Sequence, residues 1–165
     1  MASTYLSRTP ASSGDRKTFT ISFWVKRSIL GTSQFVYNAR SANASAIFFT
    51  TGDQLYFNVE SGVIQLQTNR LFRDVSAWYH IVYEIDTTQG TASNRVKLYV
   101  NGVQETSFAI ATYPSVNADT RFNENVAHNI GRRLETGGDF FNGYLSEFYN
   151  IDGLAYDAST FGSFD

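Results

Sequence analysis

At 165 residues the chain falls within the size range of one domain. Thirteen Lys and Arg against fifteen Asp and Glu give a formal charge of -2, with the basic residues scattered singly or in pairs, so nucleic acid finds no electrostatic footprint. Cysteine is absent, which removes disulfides and thiolate metal sites and leaves packing and hydrogen bonds to hold the fold.

The apolar volume is carried by 14 Phe, 10 Tyr, 2 Trp and the β-branched residues, with a single Met, a bias toward strands. The first twenty residues hold no apolar stretch, and no run of about 18 apolar residues occurs anywhere. Neither a secretory signal nor a membrane span is expected.

Taken in order, the first clear element is KTFTISFWVKR at 17–27, where Phe19, Ile21, Phe23 and Val25 alternate with polar residues and Trp24. Period-2 spacing puts the first set on one face of a strand. Further strands are predicted at 35–37, 46–49, 55–59, 63–67 and 78–85, separated by turn signals at Gly52-Asp53 and Ser61-Gly62, because glycine reaches positive φ without steric cost. RVKLYV and VQETSF flank Asn101-Gly102, the strongest short hairpin signal.

From Ala111 to Asp139 the chain is polar and irregular, which predicts long surface loops around one short strand at 127–131. GYLSEFYNI at 143–151 is a final long strand closed by Asp152-Gly153, and Leu154 to Phe161 forms a turn of helix. About nine to twelve strands with almost no helix predict an all-β sandwich or barrel in one domain, residues 1–165.

Three segments carry a family resemblance: FTISFWVKR at 19–27, WYHIVYEID with VKLYVNGV at 78–103, and IGRR with FNGYLSEFYNIDGLAY at 130–156. In this order they resemble the laminin-G-like branch of the concanavalin A-like lectin and glucanase superfamily. The resemblance implies a jelly-roll sandwich of two curved antiparallel sheets, with Trp24 and Trp78 as framework. YLSRTP, KTFTISFWVKR and GYLSEFYNIDGLAYDASTFGSFD are also similar to laminin-G-like segments in structural proteins of tailed marine bacteriophages. That likeness implies one part of a longer virion protein, displayed on the particle surface among other virion proteins, with a homo-oligomer among the assemblies it admits.

The same superfamily includes glucanases, which present three carboxylates along a Glu-x-Asp-x-x-Glu strand. Glu84 and Asp86 share a face, but Thr87, Thr88, Gln89 and Gly90 follow, and retaining hydrolysis needs a second carboxyl about 5 to 5.5 Å away across the scissile bond. No enzyme is expected, and Glu84 reads as a solvated strand end. His80 and His128 are the only histidines; without metal-ligand or nucleophile spacing, His80 is expected to be a packed, hydrogen-bonded ring.

Resemblance to pentraxins and laminin-G-like domains admits calcium, and Asp119, Asn123, Glu124, Asn125, Glu135 and Asp139 supply oxygen donors, although no EF-hand spacing orders them. A sugar site needs a ring to stack on and amide, Arg or Asp groups for hydroxyls. Tyr113, Arg121, Phe122, Asn123, Arg132, Asp139 and Phe140 supply that mixture in the loops. The reading is a non-catalytic module that recognises a glycan or host-surface polymer, with a purely structural capsid or tail-fibre domain as the alternative.

Overall fold

The computed structural model describes residues 4–39, 45–59, 63–134 and 138–162. Within them run β1 (Leu6–Arg8), β2 (Thr18–Arg27), β3 (Gln34–Ala39), β4 (Ser45–Phe49), β5 (Gln54–Val59) and β6 (Ile64–Leu71). They are followed by β7 (Tyr79–Asp86), β8 (Val96–Val100), β9 (Val103–Glu105), β10 (Phe108–Thr112), β11 (His128–Ile130) and β12 (Gly143–Asp152), with short 3-10 turns at Ala92–Asn94 and Ala158–Phe161. The strands make two antiparallel sheets, one in the order β1-β11-β3-β4-β5-β6-β10 and the other β12-β2-β7-β8-β9. This is the jelly-roll sandwich expected. Among the described residues no helix is long and apolar enough to cross a membrane.

The alternation in β2 has the predicted result: Phe19, Ile21, Phe23 and Val25 are fully buried between the sheets. Leu55, Phe57, Val59, Ile64 and Leu66 face them from the larger sheet. At β8 and β9 the Asn101-Gly102 hairpin forms with φ of 50° and 79°, the left-handed pair that a two-residue turn of matching twist requires. Asn101 Oδ1 also accepts from the His80 backbone N–H at 2.8 Å.

Several expectations are corrected. In the 50–53 turn the positive φ falls on Asp53, at 65°, and not on its glycine; Ser61-Gly62 lies outside the described residues. VQETSF is not one strand, because the chain leaves the five-stranded sheet after Glu105 and joins the seven-stranded sheet at Phe108. β1 shows no burial alternation at all, so periodicity has nothing to read there.

The outer face of the five-stranded sheet is covered in part by the chain's own last segment. Thr20 Oγ1 donates to the Leu154 carbonyl and accepts from the Tyr156 N–H, each at 2.7 Å, and Phe161 packs edge-on to His80 at 5.8 Å. Thr20, Ser22, His80 and Val82, which alternate with the core residues, are therefore buried as well. His80 is the packed ring expected: its Nε2 lies 2.9 Å from Ser22 Oγ in a hydrogen bond, and Trp24 stacks on it at 4.9 Å. β12 forms an edge of this sheet, its register with β2 broken between Ser146 and Tyr149 by a bulge at Glu147, φ 48°.

Candidate functional site

Residues out of phase with the core in β3, β4 and β5 stand on the outer face of the seven-stranded sheet. Register places Phe35 opposite Phe48, and Phe48 opposite Tyr56. The rings consequently form a ladder across three strands, with centroids 4.6 Å apart and planes within 4° for the first pair, and 5.1 Å apart for the second. Cross-strand aromatic pairs of this kind rigidify a surface as well as stabilise it.

Amides continue the row. Gln65 Nε2 donates to the Tyr56 hydroxyl, Gln67 Nε2 donates to Gln54 Oε1 at 2.6 Å, and Gln54 Nε2 donates to the Thr68 carbonyl at 2.9 Å. Partial burial pushes the Tyr56 hydroxyl above its ordinary pKa against the pull of the Gln65 hydrogen bond, so it remains a neutral donor and acceptor. A flat ring beside fixed amide and hydroxyl groups can stack on the apolar side of a pyranose and hydrogen-bond its rim.

At the other end, Phe140 bridges in parallel to Phe35 through the backbone, and Tyr5 lies 6.5 Å from Phe140. The Arg133 guanidinium sits 5.3 Å above the Phe35 ring and 3.3 Å from Asp139 Oδ2. The Arg132 guanidinium sits 3.8 Å above the Tyr5 ring. Three of the seven expected ligand residues, Arg132, Asp139 and Phe140, are thus gathered at the end of one aromatic row.

The other four are elsewhere. Phe122 is 0% exposed, stacked between Tyr37 at 4.9 Å and Phe57 at 5.8 Å; it is a core ring delivered by a loop and offers no face to a ligand. Asn123 ties loops together, its Nδ2 donating to the Asp15 carbonyl and its Oδ1 accepting from Asn150, both at 2.8 Å. Arg121 pairs with Glu124 at 3.0 Å. Tyr113 lines a separate hollow of about 260 Å³ with Lys97, Glu105 and Phe108.

Tyr5, Phe35, Phe48, Tyr56 and the three glutamines were missed by the sequence reading. A usable signal was present: QLYFNV and IQLQ put rings and amides, not charges, on the face opposite the apolar one. A larger groove of about 430 Å³ opens between the β1 and β12 edges, floored by Leu6, Ile130, Phe141 and Leu145.

The described carboxylates singled out by the sequence are engaged within the chain. Glu84 is not solvated as expected but accepts from Lys97 Nζ and the Tyr99 hydroxyl, both at 2.8 Å. Asp86 accepts from the Thr88 N–H and hydroxyl. Of the calcium donors proposed from sequence, Glu124 faces Arg16 and Arg121, Asp119 faces Arg16 and Asp139 faces Arg133, so cations of the chain already occupy them. Asn123 is committed as above, and Asn125 donates to the Ala11 carbonyl. Among the described residues no three His, Asp or Glu side chains converge; Glu135 lies outside them.

The laminin G-type family model described as Concanavalin A-like lectin/glucanases superfamily matches residues 2–152. The chain belongs to the concanavalin A-like lectin and glucanase superfamily. No curated protein sequence matches it. Among solved superfamily-like structures, a heptameric SAP-like pentraxin from Limulus polyphemus aligns with TM-score 0.60 and 14% identity, over 88% of this chain and 68% of that one. The CBM40 of the Ruminococcus gnavus IT-sialidase, bound to α2,3 sialyllactose, gives 0.60 and 11% over 93% and 95%. Domain 4 of a Geobacillus stearothermophilus arabinanase, in complex with arabinotriose, gives 0.57 and 18% over 88% and 64%. At such identities the shared property is the concanavalin A-like sandwich, and the site must be argued from this chain's own side chains.

Proposed function

We propose that the domain is a non-catalytic glycan-binding module whose site is the outer face of the seven-stranded sheet. The observation that carries this reading is the half-buried Phe48-Tyr56 pair with its flanking glutamines, backed by the buried Phe35 ring, a preformed stacking platform where a solvated face calls for charged side chains. The Ruminococcus and Geobacillus relatives, whose structures hold sialyllactose and arabinotriose, support glycans as the ligand class. The engagement of Glu84 by Lys97 and Tyr99 supports a module without hydrolytic machinery.

Glycan-array and affinity-gel measurements test the reading. Tyr56→Ala and Phe48→Ala are each expected to weaken binding about tenfold or more, as for centrally placed interface rings, with the circular dichroism spectrum unchanged. Absence of binding to any glycan or host envelope at millimolar concentration overturns it.

The setting we propose is the surface of a tailed-phage particle, supported by the likeness of YLSRTP, KTFTISFWVKR and GYLSEFYNIDGLAYDASTFGSFD to laminin-G-like segments of phage structural proteins. Tyr144, 60% exposed, and Trp78, 41% exposed, lie 6.3 Å apart and favour a contact with another virion protein at that edge. Mass spectrometry of purified particles tests the setting, and absence of the chain from them overturns it.

A further inference from the structure

Among the described residues, one cation on the aromatic row pairs with no carboxylate. Arg132 is held on two sides: its guanidinium lies over the Tyr5 ring, and Asn129 holds it from the sheet. With the Asn129 amide oriented so that both its ends are satisfied, Oδ1 accepts from Arg132 Nε at 3.2 Å and Nη2 at 3.1 Å, while Nδ2 donates to Ser7 Oγ at 2.8 Å and the His128 carbonyl at 3.1 Å. Asn129 is itself fully buried, so the fork is set by a rigid, neutral acceptor.

Neutrality of that acceptor is what matters. A carboxylate in the same place would orient the guanidinium and cancel its charge, whereas an amide orients it and leaves the charge standing. Arginine carries five N–H donors in a fixed plane; two are used by Asn129, and the remainder lie on Nη1 and the free edge of Nη2. No carboxylate pairs with Arg132 among the described residues, in contrast to neighbouring Arg133, which faces Asp139. Holding an unneutralised, preorganised guanidinium beside a sugar-stacking row is how a protein reads a planar or tetrahedral anion bidentately.

We propose that Arg132 recognises an acidic group on the glycan, a carboxylate or a sulfate ester, and so makes the domain selective for acidic polysaccharide; this rests on the glycan-binding reading above. The ligand's sugar stacks on the row, and its acidic group replaces water at the open edge of the guanidinium. The chain's own net charge of -2 disfavours indiscriminate attachment to polyanions, so selectivity must come from a local site.

Affinity electrophoresis of the whole chain in gels containing polygalacturonate, dextran sulfate or neutral dextran tests the proposal. Retardation by one acidic polymer is expected at concentrations about tenfold below those needed for dextran, and it should fade as sodium chloride is raised. Retardation by polygalacturonate assigns a carboxylate, and by dextran sulfate a sulfate. Arg132→Gln should abolish the preference, Arg132→Lys should retain part of it through its charge, and Lys26→Gln, on the other sheet, should leave it unchanged. Both Arg132 variants lose the bidentate Asn129 fork and only Lys keeps the positive charge, so a Lys variant as weak as the Gln variant would mark a purely structural clip and overturn the proposal. Equal retardation by acidic and neutral polymers overturns the acidic assignment alone and leaves glycan binding standing. Retardation by none overturns the assignment, while the array decides the wider reading.

Discussion

The Arg27 guanidinium, its side chain 0% exposed, lies 3.0 Å from Asp53 Oδ1. The same carboxylate accepts from the Gly31 N–H at 2.8 Å and from Arg73 Nε at 3.1 Å. Arg27 also donates to the Phe72 carbonyl at 2.9 Å and lies 4.5 Å over the Phe49 ring. One ion pair thereby fastens the end of β2, the β4-β5 turn and the loop after β6 against the Phe49 and Phe72 rings of the core.

Removing one partner should cost far more than the pair is worth, because an uncompensated charge is left buried. Arg27→Met and Asp53→Asn are each expected to lose about 3–5 kcal/mol in urea unfolding, and the double variant to lose less than the sum. Burial alone would raise the Asp53 pKa, but hydrogen bonds from Gly31, Arg73 and Arg27 outweigh it and hold the carboxyl below its ordinary range. Its contribution is therefore complete above the unfolded value of about 3.9 and is lost as pH falls from there through the folded value. The stability gap between wild type and Asp53→Asn should narrow below that pH.

Burial lowers the pKa of both His80 and His128, against an opposing pull from Glu147 on the first and from the Val126 carbonyl and Glu124 on the second. As pH drops below about 6.5 the unfolded chain takes up protons that the folded chain resists, so stability should decline between neutrality and pH 5. His80→Gln should flatten part of that slope. Urea midpoints that stay constant over the range would refute the assignment.

Phe122→Ala and Tyr56→Ala should separate framework from site. The first opens a cavity between Tyr37 and Phe57 and is expected to cost about 3–5 kcal/mol; the second should cost only about 1 kcal/mol through its lost cross-strand pair and act mainly on ligand affinity. Thermal scans paired with the glycan array distinguish them.

Tyr83 is buried in the core with no partner for its hydroxyl among the described residues. Burial raises its pKa, so the group stays protonated and unsatisfied at every working pH. Tyr83→Phe is expected to stabilise the fold by about 1–3 kcal/mol, the cost of burying an unpaired polar group. A loss of stability on calorimetry would show that the hydroxyl is satisfied after all.

The fold was legible because β2 alternates cleanly, the NG hairpin fixes the register of β8 against β9, and short strands separated by turn signals recur along the chain with almost no helix between them. The site was harder to read. Phe122 and Asn123 sit in a polar stretch that looks like a rim, yet a loop can send a ring into the core, and nothing in local spacing reveals that. Phe48 and Tyr56 were hidden for the opposite reason: inside a strand an aromatic residue is ordinarily assigned to packing; Phe35 was further masked by a bulge between Phe35 and Tyr37 that shifts the phase of β3. Arg132 was legible as a candidate, but its orientation by Asn129 depends on β11 lying beside β1, a pairing between residues more than a hundred positions apart.

The bulge at Glu147 has a bearing on solubility. A ten-residue strand at the margin of a sheet presents a row of unmatched amide and carbonyl groups, a template on which another molecule can polymerise. By placing a left-handed acidic residue midway, β12 loses the regular spacing a second strand would need, and a carboxylate interrupts the approach. Deleting Glu147 would restore an even edge, and with it a route to fibrous aggregation that the present chain closes.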